Sequence, residues 1–108
     1  MGEERLLGAL ALCRKAGKLA IGFDAALKAL KKGACLAVTA KDISPNTLKK
    51  FRSACGEARV LALESTQEEI ERVVGRRFAL AAVCDEGLAR LVESAASQAQ
   101  QGEGQERH

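Results

Sequence analysis

The sequence predicts an α/β protein, a three-layer α/β/α sandwich whose sheet is covered by helices on both faces. Three short apolar runs, residues 35–40, 59–63 and 78–84, have the length and composition of buried strands. Helical patterns alternate with these runs, which is typical of a sheet with some parallel pairing. At 108 residues the chain fits one domain with one hydrophobic core.

Two helices are predicted in the first third of the chain. Apolar residues spaced three and four apart over residues 3–16 indicate the first helix, which ends at Gly17. The second begins near Asp24, carries apolar residues on one face and lysines around the other, and ends at Gly33. The two helices are therefore separated by a short segment between glycines.

Two further helices have clear start signals. Ser44 supplies a capping hydroxyl before Pro45, so a helix is predicted from there to Cys55. A shorter helix ends at Val74, and its start has the spacing of a capping box in two alternative registers. The alternatives are Ser65 with Glu68 and Thr66 with Glu69.

The last helix is predicted to open at residues 85–87, where acidic residues suit the helix dipole. From residue 95 onward the chain has few apolar side chains to bury. We therefore expect one domain over residues 1–94 and a disordered polar tail over residues 95–108.

The net charge of +3 is unevenly distributed. The first 56 residues contain 11 Lys and Arg against 4 Asp and Glu, whereas the remaining residues contain 6 against 10. A basic first half indicates a surface that faces an anionic partner, with nucleic acid as the leading candidate. Solvated helix faces are the alternative explanation of the same charges.

The four cysteines lie at positions 13, 35, 55 and 84, and no pair has metal-ligand or redox-motif spacing. Cys13, Cys35 and Cys84 fall in apolar runs, so we predict small buried residues that stay reduced. No apolar run reaches the length of a membrane span. We expect a cytoplasmic protein that does not contact membranes and needs no cofactor or metal.

Catalysis requires a constellation of groups that this sequence does not assemble. The single histidine, His108, lies in the predicted tail, so no base is placed for Ser or Cys nucleophiles. Asp42, Asp85 and Glu86 are predicted near strand ends, where their expected roles are loop turns and helix starts. A small carboxylate enzyme is therefore the weakest of the functional hypotheses.

The segment 14–33 contains the best candidate for a binding site. Gly17 and Gly22 bracket a strip too short for a helix, and the second helix starts directly after Gly22. A helix start exposes unpaired amides and the positive end of the helix dipole. With Lys15, Lys18 and Lys28 nearby, we predict that this start binds phosphates.

This part of the sequence also carries a family resemblance. Residues 16–34 read AGKLAIGFDAALKALKKGA and residues 36–47 read LAVTAKDISPNT, followed later by Gly75 and the segment Cys-Asp-Glu-Gly at 84–87. The pattern resembles the kink-turn-binding ribosomal protein superfamily of archaeal and eukaryotic large-subunit type. Within that superfamily it is most similar to the bacterial YlxQ-like branch.

The resemblance implies a four-stranded mixed sheet, with a short strand inside residues 18–21. It also implies that the start of the second helix, Gly22 to Lys28, contacts kinked RNA beside tandem G·A pairs, with Gly17 and Lys18 near phosphates. The loop at about residues 74–78 is a second family contact. The candidate RNA-binding residues are Lys15, Gly17, Lys18, Gly22, Phe23, Asp24, Lys28, Lys31, Lys41, Val74, Arg76 and Arg77.

One departure from the family pattern concerns base reading. Strong kink-turn binders place Asn and then Glu, or a Lys-Gln pair, two and three residues after the first helix glycine, where this chain has Asp24 and Ala25. Aspartate does not donate to guanine, and alanine reads no base edge. Asp24 is interpreted as either an N-cap or an RNA contact, and Phe23 as either a stacking platform or a packing residue.

The sequence thus predicts a non-catalytic protein that binds structured RNA, ribosomal RNA or another kink-turn RNA, with a possible place on the ribosome. We expect a monomer. The alternative hypothesis is a protein-interaction adaptor on the same fold with weak or lost RNA binding.

Overall fold

The computed structural model describes residues 3–34 and 36–106, with side chains described as far as Gln98. Within these residues the chain forms five helices and four strands. The helices are α1 (Glu4–Lys15), α2 (Phe23–Lys31), α3 (Pro45–Cys55), α4 (Gln67–Val74) and α5 (Glu86–Glu106). The strands are β1 (Leu19–Ile21), β2 (Leu36–Thr39), β3 (Val60–Ala62) and β4 (Leu80–Val83).

The four strands form one sheet in the order β1-β4-β2-β3. Strand β4 is antiparallel to both of its neighbours, whereas β2 and β3 are parallel. Helices α1, α4 and α5 cover one face, and α2 and α3 cover the other. The predicted three-layer sandwich with a mixed sheet is confirmed.

The two faces of the sheet bury different amounts of apolar surface. Because side chains alternate along a strand, Leu36 and Val38 of β2 join the larger core under α1, α4 and α5. Ala37 joins a smaller core with Ala26 of α2 and Phe51 of α3. Small residues on this second face let α2 and α3 lie close to the sheet.

The start of α4 resolves the two possible capping registers. Thr66 accepts a hydrogen bond from the Glu69 amide (3.2 Å), and the Glu69 carboxylate accepts one from the Thr66 amide (2.8 Å). Ser65 is buried, and its hydroxyl donates to Glu3 (2.7 Å). The Thr66 amide also lowers the pKa of Glu69 below its ordinary value of 4.5, which favours the folded state above that pH and is lost on acidification.

We expect Thr66→Ala to lower the free energy of unfolding by about 1 kcal/mol, because the first turn of α4 loses its capping acceptor. Urea denaturation followed by circular dichroism measures the change. Thr66→Ser keeps the hydroxyl and serves as the control. An equal loss in both variants would argue against capping as the cause.

Helix α5 is longer than the sequence predicts. It continues to Glu106, into the segment for which a disordered tail is predicted. Within that segment Ala95 is buried in the larger core, and Gln98 accepts a hydrogen bond from Arg5 of α1 (2.5 Å). His108 lies outside the described residues, and the division into a domain and a tail stays a prediction.

At 21 residues α5 is too polar to cross a membrane, and no other helix in the described part of the chain has the necessary length and apolar content.

The cysteines differ in environment. Cys13 is buried as predicted, and burial raises the pKa of its thiol to about 11. Cys84 directly follows the last residue of β4 and is exposed, which corrects the prediction. Cys35 lies outside the described residues.

Candidate nucleic-acid interface

Four loops meet at one edge of the sheet, which we call the α2 edge. Strands β1, β2 and β3 end there and β4 begins there, because Ile21 pairs with Ala81 and Thr39 pairs with both Leu80 and Ala62. Helices α2, α3 and α4 therefore all start at this edge. Loops held by a rigid sheet in this way are a common location for binding residues.

Gly22 fixes the start of α2 against the sheet. Its backbone has φ 103° and ψ 163°, a conformation that favours glycine. The Gly22 amide donates a hydrogen bond to the Leu80 carbonyl oxygen (3.0 Å), and the Gly22 carbonyl oxygen accepts one from the Ala26 amide (2.9 Å). The first turn of α2 is thus anchored to the inner strand β4.

This first turn is open to a ligand. Ser44, Thr66 and Asp85 each accept a hydrogen bond from an amide in the first turn of α3, α4 and α5, respectively. Among the described side chains none caps α2. The amides of residues 23–25 have no intrahelical acceptor, so they are available to an anion together with the positive end of the helix dipole.

Phe23 packs on the protein. Its ring meets Phe51 of α3 edge to face, with centroids 5.5 Å apart and an interplanar angle of 80°. Phe51 is fully buried, and Phe23 packs against the same small core. The packing interpretation of Phe23 is confirmed, and the contact fastens the start of α2 to α3.

Asp24 is not the N-cap of α2. Gly22 occupies that position, because the helix already begins at Phe23. Asp24 is the second helical residue, and its exposed carboxylate lies in the first turn, where negative charge suits the dipole. Ala25 is also exposed, so both positions that depart from the family pattern face solvent at the helix start.

Lys41 lies at the α2 edge. It follows Ala40, whose amide donates to the Ala79 carbonyl oxygen (2.8 Å), next to the Leu80 carbonyl that binds Gly22. Since β4 lies between β1 and β2, Gly22 and Lys41 are about two strand spacings apart, roughly 10 Å. Lys41 is exposed and directs a cation to the same edge as the open helix start.

The loop before β4 contributes cations and no apolar contact surface. Val74 is 3% exposed and belongs to the larger core, so its side chain is withdrawn from the predicted interface. Arg76 and Arg77 are exposed, and Arg77 pairs with Glu71 at 3.5 Å. Arg76 takes part in none of the ion pairs found among the described residues.

Arg14 is a further cation beside this loop that the sequence analysis did not select. A Cβ added to Gly75 would lie 3.1 Å from the Arg14 Nη1 atom, so the guanidinium lies directly over this glycine. The sequence marks Arg14 only as a basic residue in the last turn of α1. Its position over the loop comes from the packing of α1 on α4, for which the sequence carries no local signal.

Gly17 and Lys18 do not lie beside Gly22 in one binding site. The Lys18 carbonyl oxygen accepts a hydrogen bond from the Cys84 amide (2.8 Å), at the edge of the sheet opposite the α2 edge. Strand β1 separates the two glycine turns, so Lys18 and Gly22 lie about 13 Å apart. Lys15, in the last turn of α1, lies at the opposite edge as well.

Lys28 and Lys31 lie further along α2. Both are exposed, at roughly 8 and 12 Å from Phe23 along the helix axis. They are therefore on the solvent face of α2 and not at its start. Of the predicted residues, the structure brings Gly22, Phe23, Asp24 and Lys41 to the α2 edge, while Arg76 lies in the loop that leads from α4 to the start of β4.

The candidate carboxylates have structural roles. Asp42 accepts a hydrogen bond from the Gln67 amide at the start of α4 (3.0 Å), and Asp85 caps the first turn of α5. Glu86 pairs with Arg90 at 3.0 Å, within α5. The predicted loop and helix-start roles are confirmed. In the described part of the chain no three His, Cys, Asp or Glu side chains gather as a metal site.

The model of the ribosomal protein L7Ae/L30e/S12e/Gadd45 family matches residues 4–94. The chain belongs to this family. The match spans α1 to the middle of α5 and confirms the superfamily resemblance, while the YlxQ-like branch stays a prediction.

Solved structures show the L7Ae-family fold at low sequence identity. A protein of unknown function from Bacillus halodurans is 24% identical, with a TM-score of 0.77, over 84% of this chain and 95% of that one. A 15.5 kD RNA-binding protein from Giardia lamblia is 16% identical, with a TM-score of 0.71, over 93% of this chain and 88% of that one. No curated protein matches the chain.

Proposed function

We propose that this L7Ae-family protein binds structured RNA of the kink-turn type, ribosomal or other, through the start of α2, and that it catalyses no reaction. The observation that carries the proposal is the first turn of α2, whose amides face solvent at a sheet edge without a capping side chain. We also place the protein in the YlxQ-like branch, in the cytoplasm, as a monomer that associates with ribosomes.

The chemistry of the α2 edge suits a bent polyanion. The helix start contributes unpaired amides and about half a positive charge, which favour phosphate oxygens. Lys41 adds an exposed cation at the same edge, Arg76 adds another in the loop that leads to β4, and Asp24 is the acidic residue in the first turn. The similarity to an RNA-binding protein from Giardia lamblia supports RNA as the polyanion.

Recognition is expected to depend on RNA shape more than on base edges. Asp24 accepts hydrogen bonds but donates none, and Ala25 offers no polar group, so guanine edges find few partners at the helix start. Backbone contacts position a protein on nucleic acid without reading its sequence. We therefore propose a modest affinity that distinguishes kinked RNA from straight duplex.

The proposal is tested by titrating a labelled kink-turn RNA and a straight duplex of the same composition at several salt concentrations, using fluorescence anisotropy. Contact with about four to six phosphates gives a log–log salt slope of roughly −3 to −5. Lys41→Gln/Arg76→Gln is expected to weaken binding about tenfold and to make the slope shallower by about 2.

Arg72→Gln/Arg90→Gln removes the same charge from exposed positions on α4 and α5 and is the matched control. We expect the control to bind kink-turn RNA within about twofold of the wild-type protein, since distant surface charges are screened. A salt slope near zero, or equal losses in both double variants, would contradict binding at the α2 edge.

The adaptor hypothesis has its own supporting observation. A groove of about 340 Å³ lies between α1 and α5, and its walls include Leu12 and Leu91, which are 47% and 44% exposed. Exposed apolar residues beside a groove are typical of protein contacts. If the wild-type protein binds no RNA in the titration above, the adaptor on the same fold becomes the better explanation.

A further inference from the structure

Helices α2 and α3 present a basic surface apart from the α2 edge. With the C-cap residue of α2 included, the two helices carry six cations and one carboxylate, Asp24. All six cations are exposed. We call this surface the α2/α3 basic face, and its cations are Lys28, Lys31, Lys32, Lys49, Lys50 and Arg52.

The topology places these cations side by side. Both helices lie on the same face of the sheet, start at the α2 edge and run toward the opposite edge, where β2 and β3 begin. Lys28 and Lys49 lie roughly 6 to 8 Å from the helix starts, and Lys31 and Arg52 roughly 10 to 12 Å. Packed helices are about 8 to 10 Å apart, so the cations form one patch.

The patch has no ionic partners in the described part of the chain. The salt bridges found there join Arg59 to Glu93, Arg77 to Glu71 and Arg90 to Glu86, away from α2 and α3. The other helical layer is nearly balanced, with five cations and six carboxylates on α1, α4 and α5 as far as Gln98. Positive charge is thus concentrated on one side of the sandwich.

The surroundings of the patch favour a nucleic-acid backbone over a protein. Protein interfaces have apolar cores, but the large apolar residues that the described structure exposes, Leu12, Val73 and Leu91, all lie on the opposite layer. Stacked single-stranded bases need free aromatic rings, yet Phe23 and Phe51 pack against each other. A surface of exposed cations that has neither an apolar core nor free aromatic rings suits the phosphates of a duplex.

We infer that the α2/α3 basic face binds the phosphate backbone of a double-stranded RNA stem that continues from the kinked segment at the α2 edge. This inference rests on the proposed function, because the kink positions the stem. The face begins where the α2 start ends, so a stem leaving the α2 edge along the helices passes over Lys28 and Lys49 and then over Lys31 and Arg52. The stem adds affinity without adding sequence selectivity.

The test compares two kink-turn RNAs, one with stems shorter than half a helical turn and one with stems of a full turn. The wild-type protein is expected to bind the long-stem RNA about tenfold more tightly. Lys49→Gln/Lys50→Gln, on α3 and outside the α2 edge, is expected to lose most of this gain while binding the short-stem RNA within about twofold of wild type. Urea denaturation checks that the variant is folded.

Arg72→Gln/Arg90→Gln again controls for total charge and should keep the gain from the longer stem. The inference would be overturned if the Lys49→Gln/Lys50→Gln variant still bound the long-stem RNA about tenfold more tightly than the short-stem RNA. It would also be overturned if the variant lost affinity equally for both RNAs. A straight duplex separates the two proposals. If the protein binds no kink-turn RNA but binds the duplex through Lys49 and Lys50, the proposed function is wrong, whereas phosphate binding by the α2/α3 basic face is supported. Binding to an acidic peptide and to neither RNA would overturn both.

Discussion

Asp24→Asn/Ala25→Glu is expected to bind kink-turn RNA roughly 10- to 100-fold more tightly than the wild-type protein. The change introduces one of the pairs that strong kink-turn binders place at these two positions, and a good contact to a base edge contributes about 1–3 kcal/mol of discrimination. Both side chains are exposed in the first turn of α2, so the new groups face the RNA. A glutamate in a first turn also suits the helix dipole, so the fold should tolerate it.

The measurement is a titration of kink-turn RNA and of the same RNA with Watson–Crick pairs in place of the tandem G·A pairs. The gain should appear for the first RNA and be nearly absent for the second, because guanine edges are the group recognised. Asp24→Asn alone is the control for removal of a carboxylate from the helix start. An equal gain for both RNAs would show that reading of the guanine edges is not responsible.

Phe51→Ala is expected to lower the free energy of unfolding by about 3–5 kcal/mol. Phe51 is fully buried in the small core between α2, α3 and the sheet, and its ring holds Phe23 in an edge-to-face contact at 5.5 Å. Removing the ring leaves a cavity and releases the first turn of α2. The affinity for RNA should therefore fall as well, because the first turn of α2 is less ordered.

Urea denaturation measures the change in stability, and hydrogen exchange of the α2 amides measures the loosening of the helix start. Phe51→Leu keeps most of the buried volume and should cost less, about 1–2 kcal/mol. Ser53→Ala, at an exposed position on the same helix, should stay within about 0.5 kcal/mol of wild type. A loss in Phe51→Ala no larger than in Ser53→Ala would mean that the small core contributes little.

Local signals predicted the helices well. The third helix begins at Pro45 and ends at Cys55 as predicted, because a capping hydroxyl, a proline and a terminal glycine each act over a few residues. The sequence also predicts a capping box at the start of α4, in either of two registers. The choice between them depends on Glu3, more than sixty residues away in sequence, which binds Ser65 and leaves Thr66 to cap the helix.

Strand β1 illustrates what local pattern does not provide. It has three residues, within the four that separate Gly17 from Gly22, so its periodicity is too short to interpret, and the family resemblance alone indicated it. Its extended form is stabilised by antiparallel pairing with β4, which follows more than fifty residues later. The same strand separates Lys18 from Gly22, so the two glycine turns lie at opposite edges of the sheet although they are close in sequence.

The sequence predicts the start of α2 as the candidate site, but it does not predict how the residues around the loop before β4 are placed. The open helix start after Gly22 follows from glycine and helix signals that are local. The burial of Val74 and the position of Arg14 over Gly75 follow from the packing of α1 on α4, which no spacing rule encodes. Likewise, Ala95 and Ala96 of α5 contribute little to a hydrophobic pattern, yet both pack in the larger core.

The concentration of cations on the layer of α2 and α3 gives the molecule an electric dipole across the sandwich. A polyanion therefore exerts a torque on the protein before any contact is made, and the protein arrives with α2 and α3 foremost. Encounters that begin in the productive orientation raise the association rate, and added salt reduces this advantage. Recognition would thus begin at a distance of several ångströms.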